Sequence, residues 1–393
     1  MARPKETRGS KGGSGLGVMV EDGATPRPFM RGIMIHSLIR RGVPYEEAFE
    51  VAQTVRDRIK GRPSVKAQEL AELASELLPA GLPTAVPELA EPIRITDAGA
   101  SVPFSKGILS QSLLAAALEP GDAWEVARDI ELELRRSRTL EIDRKSLRRL
   151  AFETLTTRVG KSAGRDYLMW RRFQDPERPV ILLLGGPTGA GKTSLALEVG
   201  HRLGIPRVMS TDTIRQVMRI MLSSALAPAL HASSYDAWRA IPDAESFEDP
   251  IVEGFRDQAQ VVSVGVRGLI DRAVAENTSL ILDGVSIVPG LMGRGSYAET
   301  ADVIMMMVVN LGEEAYAGRF EARRRSPKHQ PHDYVENLDA ILQIQDHLLE
   351  LAEQVDDVPV VNNEDFEQSV QTVIRHVAKT LRERHGFDAA ELL

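Results

Sequence analysis

The chain has 393 residues, 43% of them hydrophobic, with 56 acidic residues against 48 basic ones and a formal net charge of −8. That length predicts two or three domains, and the acidic balance argues against a generic nucleic-acid binder. With no cysteine, disulfides, thiolate chemistry and Cys-ligated zinc are excluded; no apolar run approaches the ~20 residues that span a bilayer, and the first residues lack the apolar segment of a secretory signal, so a cytoplasmic protein is expected.

Residues 1–16 read as a disordered basic tail, in which Arg3, Lys5, Arg8 and Lys11 outnumber Glu6 among glycines and serines. An internal repeat follows. Laying residue n on residue n+75 matches Asp22 with Asp97, Pro28-Phe29 with Pro103-Phe104, Gly32-Ile33 with Gly107-Ile108, Ser37-Leu38 with Ser112-Leu113, and Glu50-Val51-Ala52 with Glu125-Val126-Ala127. A further two-residue shift brings Val65 onto Ile142 and Leu70 onto Leu147. Each copy predicts a strand, a turn, a second strand ending at Pro-Phe, and helices beginning near 30 or 105, near Glu46 or Asp122, and near Val65 or Asp143. The second copy runs on into a fourth helix, Lys161 to Arg172, which the first lacks. The repeats span 17–79 and 92–172, joined by a proline-rich linker over 80–91.

The hairpin, the Pro-Phe step with a basic residue just after it (Arg31, Lys106), and the closing Ala163-Gly164-Arg165-Asp166-Tyr167-Leu168-Met169-Trp170 resemble the ATP-cone domain, a small regulatory module. The resemblance implies that an adenine nucleotide meets Arg31 and Lys106. A helical scaffold that binds nothing is the competing reading.

Residues 176–393 form the other half. Val180 to Leu184 is a continuous apolar run, expected of a strand buried on both faces of a parallel sheet. It leads into Gly186-Pro187-Thr188-Gly189-Ala190-Gly191-Lys192-Thr193, a full match to the phosphate-loop pattern, and then into a helical stretch. Backbone amides at Gly186, Thr188, Gly189, Ala190 and Gly191 can converge on phosphate oxygens, Lys192 can reach the β- and γ-phosphates, and the Thr193 hydroxyl can ligate Mg²⁺. ATP and Mg²⁺ are the expected cofactors.

A short strand over 207–210 delivers Thr211-Asp212, either of which can cap the next helix. Arg215 and Arg219 stand i and i+4 on that helix, suited to a small anionic substrate, with Asp212 near its hydroxyl. His231 is open between a substrate contact and a structural role. Strand 279–285 carries Asp283, which can hold Mg²⁺ or orient the acceptor. Met305 to Met307 read as core. Arg319 and Arg323 predict a lid over the transferring group, and the Asn362-Asn363 step after a last strand, Asn362 above all, marks the expected adenine contact.

The phosphate loop, Thr211 to Arg219, Leu230-His231-Ala232-Ser233-Ser234-Tyr235 and Asp283-Gly284-Val285 together resemble 2-phosphoglycerate kinases; Asp283 stands where that family is expected to carry glutamate. The resemblance implies transfer from ATP to 2-phosphoglycerate. The residues alone reach a Mg-ATP phosphotransferase acting on a small anion. A kinase of another phosphorylated sugar, acid or inositol phosphate, a nucleotide-sensing regulator with an inactive site, and a mechanical ATPase are the alternatives. The expected fold is α/β, a mostly parallel sheet flanked by helices and preceded by two mainly helical repeats with hairpins. A homo-oligomer stays open; no membrane or nucleic-acid partner is expected.

Overall fold

The computed structural model describes residues 18–21, 27–40, 43, 45–78, 92–97, 99–173, 177–312, 334 and 336–388. The chain divides into two compact units, Met1–Glu91 and Pro92–Leu393.

In the first unit β1 (Met19–Glu21) is the centre of a three-stranded sheet. It pairs antiparallel with β2 (Arg27–Pro28) and parallel with β3 (Ser64–Lys66). Helices α1 (Arg31–Arg40), α2 (Tyr45–Ile59) and α3 (Ala67–Leu77) bury Leu38, Ala48, Val55, Ile59, Val65 and Leu70 together.

The second unit begins with the same design. β4 (Arg94–Asp97) pairs antiparallel with β5 (Ala100–Pro103) and parallel with β6 (Glu141–Asp143). Around them lie α4 (Lys106–Leu113), α5 (Pro120–Arg136), α6 (Arg144–Arg158) and α7 (Lys161–Arg172). The two-residue shift in the repeat is absorbed by α5, 17 residues long against 15 in α2. The third helix of each copy starts near where it is expected, at Ala67 and Arg144, the latter capped by Asp143. What the sequence does not show is the short third strand that precedes each. The parallel pairing with β1 or β4 satisfies backbone groups that an isolated turn would leave unpaired.

The remainder is a five-stranded parallel sheet in the order β11-β10-β7-β9-β8. Its strands are β7 (Val180–Gly185), β8 (Val208–Ser210), β9 (Leu280–Gly284), β10 (Asp302–Val309) and β11 (Val360–Asn362). The helices are α8 (Lys192–Leu203), α9 (Thr211–Met221), α10 (Pro250–Ala275), α11 (Leu338–Gln354) and α12 (Phe366–His385). Alternate residues of β7 and β10 serve different cores. Ile181, Leu183, Val303, Met305 and Met307 join the core with α10 and α11, whereas Leu182, Leu184, Ile304, Met306 and Val308 join that with α8 and α12. The methionine run is core, as expected.

Helix α7 belongs to two cores at once. Tyr167 and Leu168 pack within the repeat, while Met169, Trp170 and the following Phe173 pack with α8 and α12. The Trp170 indole donates to the Leu203 carbonyl at 2.7 Å, at the end of α8. One residue earlier Arg202 is buried; it holds Glu367 at 2.7 and 2.6 Å and Glu198 at 2.7 Å, and donates to the Leu118 carbonyl at 3.3 Å. Asp166 of α7 pairs with Arg382 of α12. The second repeat and the parallel sheet therefore share one hydrophobic interior, sewn at its rim by charge-assisted hydrogen bonds.

Candidate active site

The carboxyl ends of β7, β8, β9 and β10 meet around the phosphate loop, the edge where open α/β sheets bind ligands. Gly186 has φ 139, and a Cβ there would fall 2.0 Å from the Val308 carbonyl oxygen. Only glycine lets the loop leave β7 this close to β10. Lys192, 8% exposed, donates to the Pro187 carbonyl at 2.7 Å, so its ammonium lies across the loop it springs from.

Thr193 donates to Asp283 Oδ1 at 2.7 Å, which brings together two residues 90 positions apart. Asp283 is 2% exposed and its Oδ2 has no hydrogen-bond partner among the described residues. Burial pushes its carboxyl above the usual range, opposed by the Thr193 hydrogen bond and the Lys192 charge. A buried carboxylate oxygen left unpaired beside a threonine hydroxyl is a hard-oxygen donor set that fits Mg²⁺. Among the described residues there is no cluster of three or more acidic or histidine side chains for a metal.

Next to Asp283 the structure corrects the expected helix cap. Ser210, not Thr211 or Asp212, caps α9, accepting from the Thr213 amide at 3.2 Å. Thr211 is buried against Gly284, where a Cβ would fall 1.8 Å from its Oγ1. That leaves Asp212 exposed in the first turn of α9, with its charge close enough to help raise Asp283. Arg215 reaches back to Asp212 at 3.4 Å and also donates to the Ala232 carbonyl. Arg219 donates to its neighbour Gln216 at 3.3 Å. The ring of His231 contacts the Leu222 carbonyl at 2.8 Å, a contact that fixes the loop. Gln258, buried on α10, donates to the carbonyls of Ala229 and Ala232 at 2.6 and 3.0 Å and holds the same loop.

On the other side of the loop lies the Asn362-Asn363 step. Asn362 accepts from the Leu311 amide at 3.2 Å, whereas Asn363, 1% exposed, donates to the Ala190 carbonyl at 2.8 Å. Asn363 thus props the phosphate loop, a structural role that the expected adenine contact does not include. Arg319 and Arg323 lie outside the described residues.

In the repeats the basic residues after Pro-Phe are engaged locally. Arg31 donates to Gln53 at 2.6 Å and stands over the Phe49 ring; Lys106 pairs with Glu131 at 2.9 Å and stands over Trp124. A cavity of about 250 Å³ in the second repeat is lined instead by Ile95, Val102, Leu109, Arg144, Arg148, Tyr167 and Arg171. Burial and the charges of Arg148 and Arg144 lower the pKa of Arg171. Of its arginines, Arg144 pairs with Asp97 at 2.8 Å beside the lining.

A parallel sheet with a phosphate loop, a buried strand-end aspartate on the loop threonine, and an arginine-bearing helix beside them define a P-loop kinase, an α/β phosphotransferase. No family model matches the chain. Curated relatives do. The 2-phosphoglycerate kinase of Methanococcus maripaludis strain C6 is 37% identical over 291 residues, covering 73% of this chain and 92% of its own. Those of Methanopyrus kandleri (37%, 74% and 88% covered) and Pyrococcus horikoshii (34%, 72% and 93% covered) are similarly close. The chain belongs to the 2-phosphoglycerate kinase family, and it is a kinase acting on a phosphorylated small metabolite.

Proposed function

We propose that the chain transfers the γ-phosphoryl group of Mg-ATP to the hydroxyl of 2-phosphoglycerate, giving 2,3-bisphosphoglycerate and ADP. The observation that carries this reading is the Thr193–Asp283 pair at the mouth of the phosphate loop, in a chain of this family. The acceptor oxygen attacks phosphorus, its proton passes to the Asp212 carboxylate, and the bond to the ADP oxygen breaks, leaving ADP with that electron pair. In this reading the loop amides and Lys192 hold the β- and γ-phosphates, and Thr193 and Asp283 hold the metal, which supplies charge neutralisation when bound. Arg215 and Arg219 turn from their present partners to the acceptor's carboxylate and phosphate, and Asp212 faces its hydroxyl. Arg319 and Arg323 are assigned to the transferring group. A coupled ADP-release assay across phosphorylated three-carbon acids, sugars and inositol phosphates tests the acceptor. 2-Phosphoglycerate should give the highest kcat/KM, and Arg215→Ala should raise its KM far more than that of ATP.

The second repeat is read as the regulatory part, its phosphate-bearing ligand held by Arg144, Arg148 and Arg171, with α7 linking that cavity to the end of α8. Calorimetry on the whole Lys192→Ala protein with ATP, ADP or dATP should show a site that Arg148→Ala weakens. No heat at millimolar nucleotide would remove this reading.

A further inference from the structure

Along β10, side chains alternate between the two cores, with Ile304, Met306 and Val308 on the side of α8. Continued by one step, the alternation puts Asn310 on that side too, which also holds Ala190 of the phosphate loop. The loop passes close by on one flank, since Met307 is in register with Gly185 and Gly186 packs against the Val308 carbonyl. On the other flank the Asn363 amide nitrogen donates to the Val309 carbonyl at 2.8 Å, and its side chain reaches Ala190. Asn310 is 1% exposed, and among the described residues neither its Oδ1 nor its Nδ2 has a hydrogen-bond partner. A primary amide offers two donors and an acceptor, and buried amides are almost always paired. A leucine would fill the same space without stranding polar atoms. Residues that break the packing rules in this way sit where a ligand is met.

We propose that Asn310 is a nucleotide-contacting residue whose Nδ2 donates to a phosphate oxygen of the nucleotide held by residues 186–193. The inference rests on reading that loop as a nucleotide-phosphate site. Phosphate offers only acceptors, so the donor end of the amide serves it.

The test is calorimetric titration of the full chain with Mg-ADP and Mg-ATP, beside thermal unfolding, for Asn310→Ala, Asn310→Leu and Asn310→Asp, with Lys192→Ala as control. The alanine and leucine variants should unfold at or above the wild-type temperature, yet bind both nucleotides about 10- to 100-fold more weakly. Asn310→Asp keeps the shape, loses the donor and adds a repelling charge, so it should lose at least as much. Wild-type affinity in folded Asn310→Ala and Asn310→Leu would overturn the proposal. So would wild-type affinity in Asn310→Asp, because the acceptor end would then be the one in use. A lowered unfolding temperature with unchanged nucleotide affinity would make Asn310 structural. Weakened binding in Lys192→Ala but in no Asn310 variant would sink this inference alone; unweakened binding in Lys192→Ala would remove the loop reading and this inference with it.

Discussion

Residues 18–78 and 93–173 are built to one plan, yet they end differently. In the first copy the last described helix, α3, closes on its own small core, and four prolines mark residues 79–92. In the second copy Val159-Gly160 turns the chain into α7, which turns Tyr167 toward its own repeat and Trp170 into the interior of the kinase sheet. Even the cap differs. Asp143 accepts from the Ser146 amide at 2.9 Å at the start of α6, whereas Lys66 in the equivalent position makes no side-chain cap. One extra helix thus converts a self-contained module into part of a catalytic unit. A repeat cannot be assigned a role from its topology; what decides is which apolar face continues beyond it.

The comparison implies that catalysis lives wholly in residues 92–393, and the largest effect should come from Asp283. Asp283→Asn should cut phosphoryl transfer on the order of 100-fold or more while leaving the unfolding temperature unchanged or higher, because it removes a buried charge. Its raised carboxyl has a pH consequence. The folded state binds this proton more tightly than the unfolded chain, so Asp283 costs stability above its folded pKa and that cost fades as pH falls. The ionised, metal-binding form is lost on the same descent, so Mg²⁺ affinity should weaken at a pH above the ordinary aspartate value of 3.8. A pH series of Mg²⁺ titrations, read by activity and by calorimetry, checks it.

Next in size is the seam. Trp170→Ala should cost about 3–5 kcal/mol in the unfolding of the second unit and lower activity at elevated temperature. Ile59→Ala, at a fully buried position of the first copy, should cost about 2–5 kcal/mol in the first unit only, with kinase activity untouched. Denaturant unfolding followed by activity and by circular dichroism separates the two; if both variants shift both signals together, the comparison fails.

Smaller still is Glu367. Its hydrogen bonds from Arg202 hold its carboxyl below the usual 4.5. The pair therefore stabilises fully above that value, and the contribution is lost as pH falls through the lower folded pKa. Glu367→Gln should cost about 1 kcal/mol at neutral pH, an amount suited to a partly exposed partner, and that cost should shrink in acid. The smallest effect should be deletion of residues 1–91, with kcat within about twofold of the whole chain, because residues 92–393 carry their own cores.

The phosphate loop, the buried strands and the repeat were legible because their signals are local: a spaced motif, an apolar run, a fixed offset. The third strands were not, since Ser64-Val65-Lys66 and Glu141-Ile142-Asp143 each hold one apolar residue, too few to show a period. Ser210 capping α9 in place of Thr211 or Asp212 is a one- or two-residue displacement that only backbone geometry decides, and the hold of Asn363 on Ala190 joins residues far apart in the chain. The basic residue after the Pro-Phe step points toward a ligand through its resemblance alone; Glu131 and Trp124, which engage Lys106, come beside it only in the folded repeat. The docking of Trp170 was out of reach for a similar reason, as an amphipathic pattern shows that a face is buried but not against what.

The central claim is phosphoryl transfer to 2-phosphoglycerate. The most direct measurement is ³¹P magnetic resonance of the whole chain incubated with Mg-ATP and 2-phosphoglycerate, beside Lys192→Ala. A second phosphomonoester resonance on the three-carbon acid should grow as the γ-phosphate signal of ATP declines, and Lys192→Ala should show neither change. Loss of the γ-phosphate to inorganic phosphate alone, with 2-phosphoglycerate unaltered, would contradict the account.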